Sequence, residues 1–353
     1  MQFLEHLVLT AIRWLAWGSV LTMLVWAIGA FWYLPFLPRY LGPLLTGAIL
    51  VTLLLLLLFR IKKKDNWLSY AGVVIFAAWL LLQCHQPSHD RNWAQDQKKL
   101  SRIDIADGAV AIEHFRHNQY RSATDFDVQR KNFEFQLSEL SQVWFLVQRF
   151  TPSEGLAHVF LAFEVKPNSA AEPMYFALSV EIRREEGEFF SPIQGLYRRY
   201  ELNYVFGDER DLIGVRTVMR PEDRVYMYRV NATPEQVQQL FRSIADRTNQ
   251  LVEHPEFYHT LLNNCLNGIL RHTVELTPEE VSWFDPQILL PGFSDRYAFN
   301  SGIIGQPGQT FEDLKEVSRI DERAEEEVGI GDDFSKTIRG LPLTAVENQK
   351  VEE

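Results

Sequence analysis

Three apolar runs fill most of the first 83 residues, and none of them carries a charge. They cover residues 14–34, 41–59 and 67–83. A bilayer core takes about 20 apolar residues per helix, so the pattern predicts a three-helix membrane anchor over residues 1–85. Trp14, Trp17, Trp32, Tyr33, Tyr40, Trp67 and Tyr70 fall near the ends of the runs, as an interfacial aromatic belt requires. The first link carries only Arg39, whereas the second carries Arg60, Lys62, Lys63 and Lys64. Positive charge stays on the cytoplasmic side. The expected topology is therefore a multi-pass protein of the bacterial inner membrane, with everything after Gln83 in the periplasm. A cleaved signal peptide is disfavoured, because the first run is long and lacks a small-residue cleavage site.

The rest of the chain reads as one globular domain over residues 86–304. Stretches rich in β-branched and aromatic residues predict strands over 109–115, 143–150, 156–165, 174–184, 200–206 and 225–230. The period then changes. Thr233-Pro234-Glu235-Gln236 is a capping box with proline at the first helical position, so a helix is expected to about Val252. A second is expected from Asn263 or Asn264 to about Glu275, and a shorter segment from Pro278. Acidic residues then outnumber basic ones by thirteen to six between Glu312 and Glu353, so residues 305–353 read as an acidic, mostly flexible tail. The expected class is α+β, with an antiparallel sheet and packed helices. The net charge is −11, from 35 basic and 46 acidic residues. With no basic stretch in the soluble part, nucleic acid is excluded as a partner.

Two cysteines rule out a disulfide framework. Cys84 lies at the edge of the third run. Cys265 follows two asparagines, Asn263 and Asn264, that make good helix N-caps. A thiol in the first helical turn sits at the positive end of the helix dipole, which favours thiolate, the nucleophilic form. His158 is the best candidate base, because it sits in the apolar strand Ala157-His158-Val159-Phe160-Leu161-Ala162-Phe163 and shares a face with Phe160 and Ala162. On a neighbouring stretch Ser179, Glu181 and Arg183 share one face, so Glu181 or Ser179 is expected to orient the imidazole. Asn264 and the Cys265 N–H are candidates for an oxyanion hole. Asn263, Arg183 and His259 complete the candidate substrate contacts. Neither Glu113 with His117 nor His254 with His259 has a converging third ligand, and no phosphate-binding or dinucleotide motif occurs. No metal and no cofactor is expected.

Several short segments occur in a telling order: Tyr120-Arg121-Ser122-Ala123-Thr124-Asp125-Phe126, Ala157-His158, Ser179-Val180-Glu181-Ile182-Arg183-Arg184-Glu185, Tyr200-Glu201-Leu202, Asp208-Glu209-Arg210-Asp211 and Asn263-Asn264-Cys265. Together they resemble the bacterial Lnb N-terminal periplasmic domain family, over roughly Asp90 to Gly302. The resemblance implies a permuted papain-like fold, similar to lecithin:retinol acyltransferase, with histidine before cysteine in the chain. It also implies lipoprotein N-acylation. Cys265 would take an acyl chain from membrane phospholipid, with His158 as base, and pass it from the thioester to an amine such as a lipoprotein N-terminus. The chain departs from the family after the cysteine, where Leu266-Asn267-Gly268 replaces the usual threonines. Two other functions fit the same residues: a cysteine hydrolase acting on a peptide, amide or lipid ester, and a non-catalytic envelope interaction module.

Overall fold

The computed structural model describes residues 2–34, 40–59, 67–150, 152–169, 171–273, 283, 285–326 and 331–341. Arg39, the basic link Arg60 to Lys64, and the segment from Pro278 lie outside them. Contacts divide the chain into two compact units. One comprises Met1–Asp90 with Phe189–Glu201 and Phe257–Thr260; the other comprises Arg91–Glu188, Leu202–Glu256 and Leu261–Glu353.

The first unit is built on helices α1 (Gln2–Trp32), α2 (Leu41–Phe59) and α3 (Trp67–Cys84). Small residues let α1 and α3 pack closely: Ala27, Ala30 and Ala78 are fully buried, among Phe31, Leu34 and Leu82. Over Glu5–Trp32, α1 is long and apolar enough to cross a membrane. The apolar stretches found for the other two, Leu41–Thr52 and Ser69–Cys84, are shorter. The three-span expectation is thus met by one helix of spanning length among the described residues.

The second unit is α+β. Its strands are β1 (Arg102–Ala106), β2 (Ala109–Arg116), β3 (Gln119–Tyr120), β4 (Phe126–Asp127), β5 (Arg130–Gln136), β6 (Leu140–Arg149), β7 (Ala157–Val165), β8 (Met174–Arg183), β9 (Glu201–Gly207) and β10 (Arg224–Arg229). Seven of them run in the order β1-β2-β9-β8-β7-β6-β10, with β5 also paired to β2. β6, β7 and β8 form an antiparallel centre, in which Val147 faces Val159 and Phe160 faces Ser179. β2 and β9 meet in a parallel bridge at Arg116 and Gly207. The strands expected from the sequence are present; β1, β3, β4 and β5 were not anticipated, because polar residues dilute the alternation in β1 and β5 and because β3 and β4 are only two residues each.

Both faces of the sheet are covered, which is why the central strands are apolar on both sides. One face receives α6 (Pro234–Glu253) and α7 (Cys265–Leu270). The capping box at Thr233 and Gln236 forms as expected, and Phe241 packs edge-on against Phe135, Phe163, Phe176 and Phe206. Gly268 brings α7 close to the sheet: a Cβ there would stand 2.9 Å from Val180 Cγ1 and 3.1 Å from Tyr204 Oη.

The other face buries Leu146, Phe160, Ala162, Ala177 and Val205 against Leu212 and Ile213, from α4 (Glu209–Leu212) and its C-terminal end. Helix α5 (Gly214–Thr217) follows directly. This same core contains Ile320, Ala324, Phe334 and Ile338. The segment read as a flexible tail therefore supplies α8 (Phe311–Val317), α9 (Asp321–Glu326) and α10 (Phe334–Thr337). Its acidic composition masked the spaced apolar residues that anchor it, and Arg339 ties it to buried Glu209 at 2.6 Å.

Candidate functional site

Cys265 opens α7, and Asn264 is its N-cap: the Asn264 Oδ1 accepts from the Asn267 N–H at 2.9 Å. The cap is the one expected; it uses the Asn264 oxygen as acceptor, whereas an oxyanion would need the Asn264 amide nitrogen as donor. The helix is only six residues long, so its dipole is weak, and the thiol is 5% exposed. Burial pushes the Cys265 thiol up from its ordinary value, and the N–H groups of Val159, Leu266 and Cys265 and the charge of Arg216 offset this only partly. The resting group is a thiol, not the thiolate the sequence suggested, because desolvation outweighs the helix end.

His158 lies on β7 beside this sulfur's partner, Val159. Its ring stacks on Phe160, with centroids 5.4 Å apart, and its Nε2 is 2.7 Å from the fully buried Ser179 Oγ. Burial first, then the charges of Arg216 and Arg220, lower the His158 pKa to about 3 against the pull of Glu181. The imidazole is thus neutral at physiological pH. Its Nδ1 makes no hydrogen bond among the described residues, and none joins the ring to the Cys265 sulfur.

Glu181 occupies the next position on the same face of β8. Arg216 Nη2 donates to its Oε1 at 2.7 Å, Gln97 Nε2 reaches its Oε2 at 3.4 Å, and Arg116 Nη1 lies 3.5 Å away. Burial pushes this carboxyl up, yet Arg116, Arg216, His158 and the Ser179 hydroxyl together bring it well below the usual carboxylate range. It is an anion. A serine hydroxyl next to a carboxylate donates to it and accepts from the imidazole. That arrangement places the ring proton on Nε2 and leaves the Nδ1 lone pair as the base. Ser179 is therefore the direct partner of His158, and Glu181 acts one step behind it.

The network continues inward. Arg116 Nε lies 3.1 Å from both oxygens of Asp211, and the Asn118 N–H and Tyr120 hydroxyl also donate to that carboxylate. Arg216 donates to the Leu212 carbonyl and lies over the Phe160 ring, 5.3 Å from its centroid. Arg116, Asp211 and Arg216 were not singled out from sequence. Two of them come from the short α4–α5 region, whose position relative to β7 and β8 no local pattern reveals.

The remaining expected contacts fall elsewhere. Arg183 is buried, donates to the Gln97 and Lys98 carbonyls at 3.0 Å and lies over the Trp93 ring; it braces the segment before β1 and not the thiol. Asn263 Oδ1 accepts from Arg271. His259 belongs to the first compact unit, where burial and Arg198 lower its pKa. His272, after α7, is a buried structural group between Ser243 Oγ at 2.8 Å and Tyr204 Oη at 3.3 Å. Among the described residues no group of histidine, cysteine and acidic side chains is arranged to hold a metal. An apolar cavity beside α7 is lined by Leu161, Leu240, Leu266 and Ile269 among others.

Residues 129–291 match the family model of the Lnb N-terminal periplasmic domain. Over this segment the chain is similar to that family. The matched segment holds His158, Ser179, Glu181, Arg216 and Cys265, so these polar groups and the thiol all lie within it. It leaves out Arg116, which the fold supplies from β2. Among curated proteins and among solved structures, nothing matches the chain. The family places the protein with the periplasmic envelope, and α1 has the length and composition of a membrane anchor.

Proposed function

We propose that this protein is a membrane-anchored periplasmic thiol acyltransferase with a permuted papain-like domain. The single observation that carries the reading is the ordered chain His158–Ser179–Glu181–Arg216, which fixes the imidazole beside the strand position whose N–H points at the Cys265 sulfur. Charged and polar groups are costly to bury; a core needing only packing would not hold four of them in one line. In this mechanism His158 Nδ1 takes the thiol proton as Cys265 Sγ attacks the ester carbonyl of a membrane phospholipid. The imidazolium formed is stabilised through Ser179 by the Glu181 carboxylate. It then returns the proton to the departing lipid alkoxide, leaving a Cys265 thioester. An amine, such as a lipoprotein N-terminus, attacks that thioester, and His158 accepts and redelivers its proton. The N–H of Cys265 is the donor available to the oxyanion. No step needs a cofactor.

Because both groups rest neutral, proton transfer accompanies attack rather than preceding it. The anchor contributes by concentrating the site at the bilayer. In the proposed topology α1 spans the inner membrane, α2 and α3 complete a three-helix anchor, and the domain from residue 86 faces the periplasm. The hydrolase reading uses the same atoms, with water as the acceptor.

The test is intact-mass analysis after incubation with phospholipid vesicles. Wild type is expected to gain one acyl group, and Cys265→Ala and His158→Ala none. An acyl adduct that persists in Cys265→Ala refutes the nucleophile. Release of the adduct by water as fast as by an amine acceptor favours the hydrolase.

A further inference from the structure

Residues 189–201 leave the sheet and belong to the compact unit built on α1–α3. Their attachment is specific. Tyr197 is 6% exposed in the core formed by Ala27, Ala30, Phe31, Leu34, Ala78 and Leu82. Its ring stacks on Tyr33, with centroids 5.5 Å apart. The close approach needs a glycine in α1, because a Cβ on Gly29 would stand 2.1 Å from Tyr197 Oη. Arg198, at a φ of 54°, donates to the Leu82 and His85 carbonyls and to Gln83 Oε1 at 3.1, 3.4 and 2.8 Å. It thereby satisfies carbonyls at the end of α3, where helical partners run out. The segment is thus fixed to the C-terminal ends of α1 and α3 together.

The other end of the same loop is held open. Tyr200 Oη donates to the Phe189 carbonyl at 2.7 Å and accepts from the Ser191 N–H at 3.1 Å. Thr260 Oγ1 donates to the Pro192 carbonyl at 2.6 Å. On this rigid base Phe189 is 78% exposed, Phe190 47% and Ile193 55%. Three large apolar side chains stand out on a braced loop: the hydrogen bonds hold their backbone, and among the described residues Phe190 meets only the edge of Tyr258 while all three remain largely exposed.

We propose that Phe189, Phe190 and Ile193 insert into the periplasmic leaflet of the bilayer that α1 crosses, forming a fixed interfacial wedge. Tyr197 and Arg198 set its depth. They tie the loop to the level where α1 and α3 leave the membrane, the level at which aromatic side chains partition into the headgroup boundary. A lipid surface is the occupant that this continuity selects, because the same unit carries α1, which has the length and composition to cross a bilayer and which the proposed topology places there. The inference rests on the anchor part of the proposed function and is independent of Cys265 chemistry.

The experiment uses the full chain in a Cys84→Ser, Cys265→Ala background, reconstituted into phosphatidylcholine–phosphatidylglycerol vesicles. An environment-sensitive fluorophore is attached at Phe189→Cys or Ile193→Cys. Leu21→Cys in α1 reports the span, and Glu134→Cys on exposed β5 reports water. Lipids spin-labelled near the headgroup should quench positions 189 and 193 several-fold more than position 134, and aqueous iodide several-fold less. Iodide quenching at 189 and 193 equal to that at 134, with position 21 protected, overturns the wedge while sparing the anchor. An unprotected position 21 overturns both. Shielding that vanishes when vesicles hold one chain each assigns the patch to a second copy and also overturns the proposal.

Discussion

Replacing Glu181 with glutamine should weaken the fold and sharpen the thiol at the same time. The Glu181 side chain is 13% exposed, between Arg216 at 10% and Arg116 at 4%. Removing one member of a buried ion pair typically costs about 3–5 kcal/mol, because the partner's charge stays buried. Glutamine keeps an acceptor for Arg216, and Asp211 still holds Arg116, so the lower end, about 3 kcal/mol, applies here. For a domain of this size that lowers the melting midpoint by roughly 6–12 °C. The freed Arg216 charge then acts without its counter-ion on Cys265, which it already favours as thiolate. Thiolate should become more populated, and alkylation at pH 7 should rise by roughly 3- to 10-fold, half to one unit of pKa. Differential scanning calorimetry and iodoacetamide kinetics with mass-spectrometric assignment read the two effects. Adding Arg216→Gln to Glu181→Gln should remove the gain in reactivity. A midpoint unchanged within 1 °C, or alkylation slower than wild type, would refute the charge relay.

The His158 ring, held to about pKa 3 in the fold against an ordinary 6.5, binds fewer protons folded than unfolded between those values. Its contribution to stability is complete above pH 6.5 and is lost as pH falls toward 3; His158→Gln should flatten that part of a pH–stability curve. The thiol is raised from 9, so alkylation of Cys265 should still be climbing past pH 9, and a plateau at neutral pH would contradict this. Gly268→Ala should cost about 1–3 kcal/mol of stability, since its Cβ meets Val180 and Tyr204, and should slow acyl-adduct formation by shifting Cys265; full activity in that variant would show that α7 has room to move. Truncation after Gly305 removes Ile320, Phe334 and Ile338 from the core, so a soluble truncated domain with an unaltered melting midpoint would show the C-terminal helices to be dispensable.

The local placement of the candidate residues was legible because each side chain carries its own local signal. Cys265 stands after a capping asparagine, and His158 is polar within an apolar strand. Ser179 and Glu181 share one face of β8. The choice between those two was not legible: both satisfy the alternation, and only the strand register, with Phe160 opposite Ser179, brings the hydroxyl to the imidazole and leaves the carboxylate to the arginines. Arg183 obeys the same alternation yet turns to the Gln97 and Lys98 carbonyls, because the sheet face continues past the site to the segment before β1.

The sequence by itself determined the apolar N-terminal helix, the α+β class, the capped α6 and the asparagine cap in front of Cys265. These follow from periodicity, capping and residue chemistry, which act over a few neighbouring positions. Only the tertiary structure decided that the thiol rests protonated, that Arg216 and Arg116 enclose Glu181, and that an acidic C-terminal segment completes the core. Charge, burial and dielectric depend on what distant segments bring within a few ångströms, and spacing along the chain does not encode that.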